Sequence, residues 1–127
     1  MTKPISPELH GILDYGLTAA NTVVPGMLGM SARARTLFRT VAVIQGGLNA
    51  VTDQPYAAQK IVPFPLHGMI DKASAPLYLL APFLAGVFRE RRARNWWLLV
   101  GVTLVTVYNL TDWSERKPGK RKRGKRR

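Results

Sequence analysis

Apolar residues along this 127-residue chain gather into four runs separated by short polar turns, at about Leu9–Met30, Thr36–Val51, Pro65–Phe88 and Trp96–Leu110. A helix that crosses the hydrocarbon core of a bilayer needs roughly 20 apolar residues, within a range of about 17 to 25. The third and fourth runs, which contain "APLYLLAPFLAGVF" and "WWLLVGVTLVTVYNL", meet that need best. The fourth is apolar around its whole circumference and too long for an ordinary strand, so it reads as a helix in lipid or in a deep core. Trp96 and Trp97 at one end of it, with Tyr108 and Trp113 at the other, have the placing of interfacial aromatic belts. The second run is shorter and more polar. Its Arg39 lies near an end, within reach of headgroups. Gln45 and Asn49 share a face near Gly46, the small-plus-amide surface through which membrane helices pack. A water-soluble bundle would need a charged stripe along each helix, and runs one, three and four have none. The predicted fold is all-α, with four transmembrane helices.

The runs are also copies of one another. His10, Gly11, Asp14, Pro25 and Gly29 recur as His67, Gly68, Asp71, Pro82 and Gly86, each 57 positions later. "VTD" at 51–53 then returns as "LTD" at 110–112, displaced by 59. A chain of matches in register identifies a duplicated unit. Each unit is a hairpin: a helix opening with His-x-x-x-Asp, a proline near its end, a basic turn, and a helix ending in Thr-Asp. The chain divides into an N-terminal segment (1–8), a first hairpin (9–53), a connecting loop (54–65), a second hairpin (66–113) and a basic tail (114–127). Pro25 and Pro82 each remove a helical hydrogen bond, so a kink is expected at both. Membrane helices tolerate this where neighbours re-satisfy the freed carbonyl. An even number of crossings keeps both hairpins the same way up, related by a pseudo-two-fold axis along the membrane normal.

This pattern resembles the SPW-repeat family of small bacterial membrane proteins, over about residues 6–113. In that family each repeat is a two-helix unit, with His-x-x-x-Asp opening the first helix and Ser-Pro-Trp near its end. Here the tripeptides are Val24-Pro25-Gly26 and Ala81-Pro82-Phe83, which keep the proline alone. The resemblance implies a multi-pass protein of the bacterial inner membrane, with two hairpins and no established activity.

Composition narrows the chemistry. There is no cysteine, which excludes disulfides, thiolate metal sites and thiol nucleophiles. The net charge of +12 is uneven: residues 115–127 hold nine Lys and Arg against one acid, and the other 114 residues carry only +4. No secretory signal peptide is read in residues 1–8, so the helices themselves are expected to direct insertion. No glycine-rich phosphate loop or nucleophile elbow occurs, nor does His-x-x-x-His or Glu-x-x-His. The protein is expected to be non-enzymatic, and no cofactor or resident metal is assigned.

Parity of crossing brings the starts of helices one and three and the ends of helices two and four to one surface. His10, Asp14, Asp53, His67, Asp71 and Asp112 are therefore expected to converge as the single candidate site. Three readings of it stand. Structurally, the residues tie the hairpins together: Asp14 and Asp71 suit the helix dipole, while Asp53 and Asp112 end helices and want a histidine partner. Alternatively, imidazoles and carboxylates within a membrane handle ions or protons. In the third reading His and Asp at i,i+4 reach one metal ion, structural or catalytic.

The tail residues Arg116, Lys117, Lys120, Arg121, Lys122, Arg123, Lys125, Arg126 and Arg127 are nearly pure charge. They are expected to be disordered and to contact anionic lipid headgroups, at about 1 kcal/mol per basic residue near the surface. A nucleic-acid tether is the second reading of the same charge, although no aromatic interleaves the basic residues. A homo-oligomer also stays open. The surface with both termini holds Lys3, Lys60 and the nine tail residues; the opposite one holds Arg33, Arg35, Arg39, Arg89, Arg91, Arg92 and Arg94. With the tail counted, the termini carry the larger positive charge, which predicts that both are cytoplasmic.

Overall fold

A computed structural model of the chain describes residues 3–114. The fold is all-α, with four helices in chain order: α1 (Pro7–Met27), α2 (Ala32–Ala50), α3 (Phe64–Leu84) and α4 (Arg91–Leu110). Each falls on one of the apolar runs, with α1 and α3 stopping at Met27 and Leu84, short of the expected ends at Met30 and Phe88. Among the described residues there is no strand, only two isolated bridges. Nor is any helix there long and apolar enough to cross a membrane. The tail residues Arg116 to Arg127, expected to contact lipid headgroups, lie outside the described residues.

Local chemistry sets the helix boundaries. Ser6 caps α1, its hydroxyl accepting from the Leu9 amide at 3.2 Å, and Pro7 occupies the first turn, where a missing N–H costs nothing. Ser31 caps α2 in the same way through the Ala34 amide, also at 3.2 Å. That cap draws Ala32–Arg35 into the helix, four residues ahead of the apolar run. Both first helices of the repeats start two or one residues earlier than their apolar runs, at Pro7 and Phe64.

The two first-helix ends are built alike. The Met30 amide donates to the Pro25 carbonyl (3.0 Å) and the Gly29 amide to that of Gly26 (3.1 Å). Val87 to Pro82 (2.9 Å) and Gly86 to Phe83 (3.1 Å) repeat the arrangement 57 residues on. This is the Schellman ending, which needs a left-handed residue just past the helix; Gly29 (φ 65°) and Gly86 (φ 69°) supply it. Pro25 and Pro82, expected as kinks, stand as the first acceptors of these endings. Both are fully buried, and Met30 and Val87, at the position where the motif calls for a hydrophobic residue, are buried as well.

The repeats interlock at both ends. At one end the chain before each first helix bridges the close of the other repeat: Ile5 pairs with Thr111, and Val62 with Thr52. At the other end, Met30, Ala34, Phe38, Val87 and Ala93 form the buried apolar cluster. There the Ser31 amide and hydroxyl donate to the two carboxylate oxygens of Glu90, at 2.8 and 2.6 Å. Ser31 and Glu90 are themselves equivalent positions, 59 apart, so this contact lies where the two copies meet. Arg92 donates to the Leu28 carbonyl at 2.8 Å and lies against Gly29, while its counterpart Arg33 lies against Gly86.

Between these ends the copies differ. α1 and α2 approach closely, with Gly46 seated on Thr18. α3 and α4 are held apart by the stacked rings of Tyr78 and Trp97, which exchange hydrogen bonds with each other's backbone at 2.8 and 3.1 Å.

Candidate functional site

The His-x-x-x-Asp segments sit at the starts of α1 and α3, with each acid four residues beyond its histidine and on the same helical face. Asp14 and Asp71 are the eighth residues of their helices. The helix dipole acts within the first turn, so it does not account for them. Their partners do. The Nε2 atom of His10 lies 3.3 Å from Asp14 Oδ2, and His67 Nε2 lies 3.3 Å from the same oxygen. A third separation of 3.3 Å joins His67 Nε2 to Asp71 Oδ2. His10, Asp14 and His67 are all buried; the Asp71 side chain, 35% exposed, forms the open edge of the group.

The outer nitrogens of the rings are fixed across the repeats. His10 Nδ1 lies 2.9 Å from Thr111 Oγ1, and His67 Nδ1 lies 2.8 Å from Thr52 Oγ1. Each threonine hydroxyl spends its own hydrogen on the carbonyl one turn back, Thr111 on Val107 and Thr52 on Leu48, both at 2.6 Å. The hydroxyl then has only lone pairs for the imidazole, so Nδ1 must carry the proton in both histidines. In a neutral ring that leaves Nε2 bare, and both Nε2 atoms face Asp14.

Asp14 is held as firmly. Gln45 donates to its other oxygen, Oδ1, at 3.2 Å, which leaves Oδ2 for the histidines. Asn49 donates to the Gly11 carbonyl at 2.9 Å. The amide face foreseen on the second run is thus used to bind α2 to α1.

Two glycines following the histidines let the site close. A Cβ on Gly68 would stand 2.7 Å from the Trp113 ring, and one on Gly11 would stand 2.5 Å from Gln54 Oε1. Gln54 and Trp113 are repeat equivalents, 59 apart. Both donate to the equivalent backbone carbonyl, Gln54 to Asn49 at 3.2 Å and Trp113 to Tyr108 at 3.0 Å. Trp113 stacks on Phe64 at 4.8 Å and meets the His10 ring edge-on at 4.7 Å, giving the cluster an aromatic cover.

Of the six residues expected to converge, four do: His10, Asp14, His67 and Asp71. Asp53 and Asp112 are corrections. The exposed Asp53 pairs with Lys60 at 3.7 Å, and Asp112 accepts from the Ser114 amide at 3.1 Å and hydroxyl at 2.5 Å. Each acid lies one residue past the threonine that turns inward, and the extended chain there sends neighbouring side chains to opposite sides. The histidine partners are Thr52 and Thr111. The shared "TD" of the two repeats contained that signal, although the neutral member of the pair carried it.

No protein-family model, curated protein or solved structure matches this chain.

Proposed function

We propose that this chain is a small, non-enzymatic integral membrane protein of the SPW-repeat kind, in which two helical hairpins are tied together by inward-facing polar residues. The observation that supports this most is the inversion of its surface. Among the described residues, twenty-two large apolar side chains are exposed, including Met27, Val43, Leu77, Leu84, Leu99 and Val102. The buried polar and charged residues among those described are His10, Asp14, Asn21, Asn49, Thr52, Gln54, His67 and Thr111. In water the exposed set would be an aggregation liability; in lipid it is the outer wall. Along α4, Leu98, Val102 and Val105 are exposed at helical spacing, with Val100 and Val107 turned inward.

Helix lengths of 21, 19, 21 and 20 residues correspond to roughly 30 Å each at 1.5 Å per residue, close to the thickness of the hydrocarbon core. The helices fall short in average apolarity because part of each is polar by design: arginines at the starts of α2 and α4, and amides, acids and imidazoles on inner faces. Polar residues in membrane bundles occupy those two places, the headgroup level and the interior. The basic tail adds contact with anionic headgroups, and the summed positive charge puts both termini in the cytoplasm.

Fractionation tests the reading. The protein is expected in the pellet after ultracentrifugation of a detergent-free lysate and to stay there through alkaline carbonate. Recovery as a dispersed species in the supernatant overturns it. Ala32→Cys and Gly124→Cys then test sidedness: an impermeant thiol reagent on intact cells should modify position 32 and spare position 124.

A further inference from the structure

We propose that His10, Asp14 and His67, with Asp71 as the outer ligand, bind a divalent first-row transition ion of the Zn²⁺ class. Three independent features of the cluster carry this.

The first is the direction of the nitrogens. Thr52 and Thr111 fix a proton on Nδ1 of both rings and leave Nε2 of both facing inward. A ligating histidine has this arrangement: one nitrogen on the ion, the other donating to an outer partner that sets the ring's tautomer and tilt. Asp14 follows the same rule, with Gln45 on one oxygen and the cluster on the other.

Unsatisfied atoms are the second feature. His10 Nε2 and Asp14 Oδ2 are buried and make no hydrogen bond. His10 is 2% and Asp14 is 3% exposed, so water does not compensate them. A carboxylate buried against two bare imidazole lone pairs is costly unless a cation lies among them. Two neutral imidazoles and two carboxylates sum to −2, the charge a divalent ion cancels.

Spacing is the third. Ligand atoms at about 2.0–2.2 Å from a tetrahedral zinc lie roughly 3.3–3.6 Å from one another. The three nitrogen–oxygen separations here are each 3.3 Å, and the inward atoms of His10, Asp14 and His67 all fall within 4.8 Å of one another. If shared protons held the group instead, charge-assisted bonds of about 2.7–2.9 Å would be expected. The absence of thiolates and the mixed imidazole and carboxylate donors favour zinc, iron(II), cobalt(II) or manganese(II) over soft ions.

The ion would join the starts of α1 and α3 directly and, through the threonines, the ends of α2 and α4. It would clamp the two hairpins at one end as the Ser31–Glu90 contact clamps them at the other. The site depends on the cluster alone, whether lipid or water surrounds the bundle.

The test uses the full chain in mild detergent, stripped with chelator and then titrated with Zn²⁺, or with Co²⁺ as a spectroscopic stand-in. One equivalent should bind per chain, Co²⁺ should show the intense visible d–d bands of a tetrahedral site, and Zn²⁺ should raise the unfolding temperature. His67→Ala and Asp14→Asn should abolish the bands. Should those variants fail to fold, Thr52→Val leaves every ligand in place and is expected to weaken binding by about 10–100-fold. Folded wild-type protein that binds neither ion, or bands that survive all three substitutions, would overturn the proposal. Location in the membrane pellet is a separate readout, so failure here leaves the membrane reading standing.

Discussion

His10 and Thr111 stand 101 positions apart in the chain and 2.9 Å apart in space, each in a different copy of the repeat. His67 and Thr52 form the mirror contact at 2.8 Å. The exchange follows from the backbone: because Ile5 bridges Thr111 and Val62 bridges Thr52, each histidine is delivered to the other repeat's threonine. Neither hairpin can complete its polar site alone.

Thr52→Val and Thr111→Val keep the shape of the side chain and remove the acceptor for a buried imidazole N–H. Each is expected to destabilise the fold by about 1–3 kcal/mol, the cost of leaving such a donor unpaired. Thr→Ser at the same positions should recover most of that. Chemical denaturation in detergent, followed by circular dichroism, measures both.

Gly68→Ala should be worse than Gly11→Ala. At position 68 the new methyl meets the two-ring edge of Trp113 at 2.7 Å, and the indole cannot yield without leaving its stack on Phe64. At position 11 it meets the end of Gln54, a flexible side chain that can turn aside at the cost of its hydrogen bonds with Asn49 and Tyr56. Overpacking costs about 1–3 kcal/mol, and the upper part of that range is expected at 68. The double variant with Trp113→Ala should lose the penalty specific to Gly68→Ala, which a double-mutant cycle reads directly.

Gly29→Ala and Gly86→Ala place a side chain at φ 65° and φ 69°. About 1–2 kcal/mol each is expected from the left-handed conformation alone. A further loss should come from crowding Arg92 and Arg33, whose guanidinium nitrogens lie 3.2 and 3.1 Å from the added Cβ. Asparagine, which tolerates this conformation better, should cost less at both positions. Thermal unfolding of the four variants would show the ordering.

Glu90→Ala removes the acceptor of two hydrogen bonds from Ser31 and is expected to loosen the junction between the repeats. Its cost should resemble that of a lost helix cap, about 0.5–2 kcal/mol, since Ser31 also caps α2. Ser31→Ala in the Glu90→Ala background should add less than it does alone.

Deleting residues 116–127 should leave helix content and unfolding temperature unchanged while abolishing salt-sensitive binding to vesicles containing phosphatidylglycerol. Retention on DNA that vanishes with the same deletion, without a loss of vesicle binding, would assign the tail to nucleic acid.

The hydrophobic pattern alone was enough to place all four helices. Boundaries moved where Ser31 drew Ala32–Arg35 into α2, an effect of one hydroxyl that hydropathy does not register. The repeat was legible because spacing is a property of the chain. It even foretold the pairing of structural roles, since Gly11 and Gly68, Gly29 and Gly86, and Pro25 and Pro82 do equivalent work. The apolar exterior was less legible. α3 carries Lys72 and Ser74, and α4 begins with arginines, so linear averages dilute faces that only the folded bundle separates.

What the sequence by itself determined was periodic and local: four helices, one hairpin copied once, and a histidine and an acid on one face at the start of each copy. What only the tertiary structure decided was which residues complete that face. Asp53 and Asp112 had the charge to attract a histidine, yet the threonines beside them received it, because the bridged backbone at each helix end turns one side chain inward and the next outward. Sequence spacing sets which residues share a helix face; which neighbour points across the gap depends on how two distant segments pair.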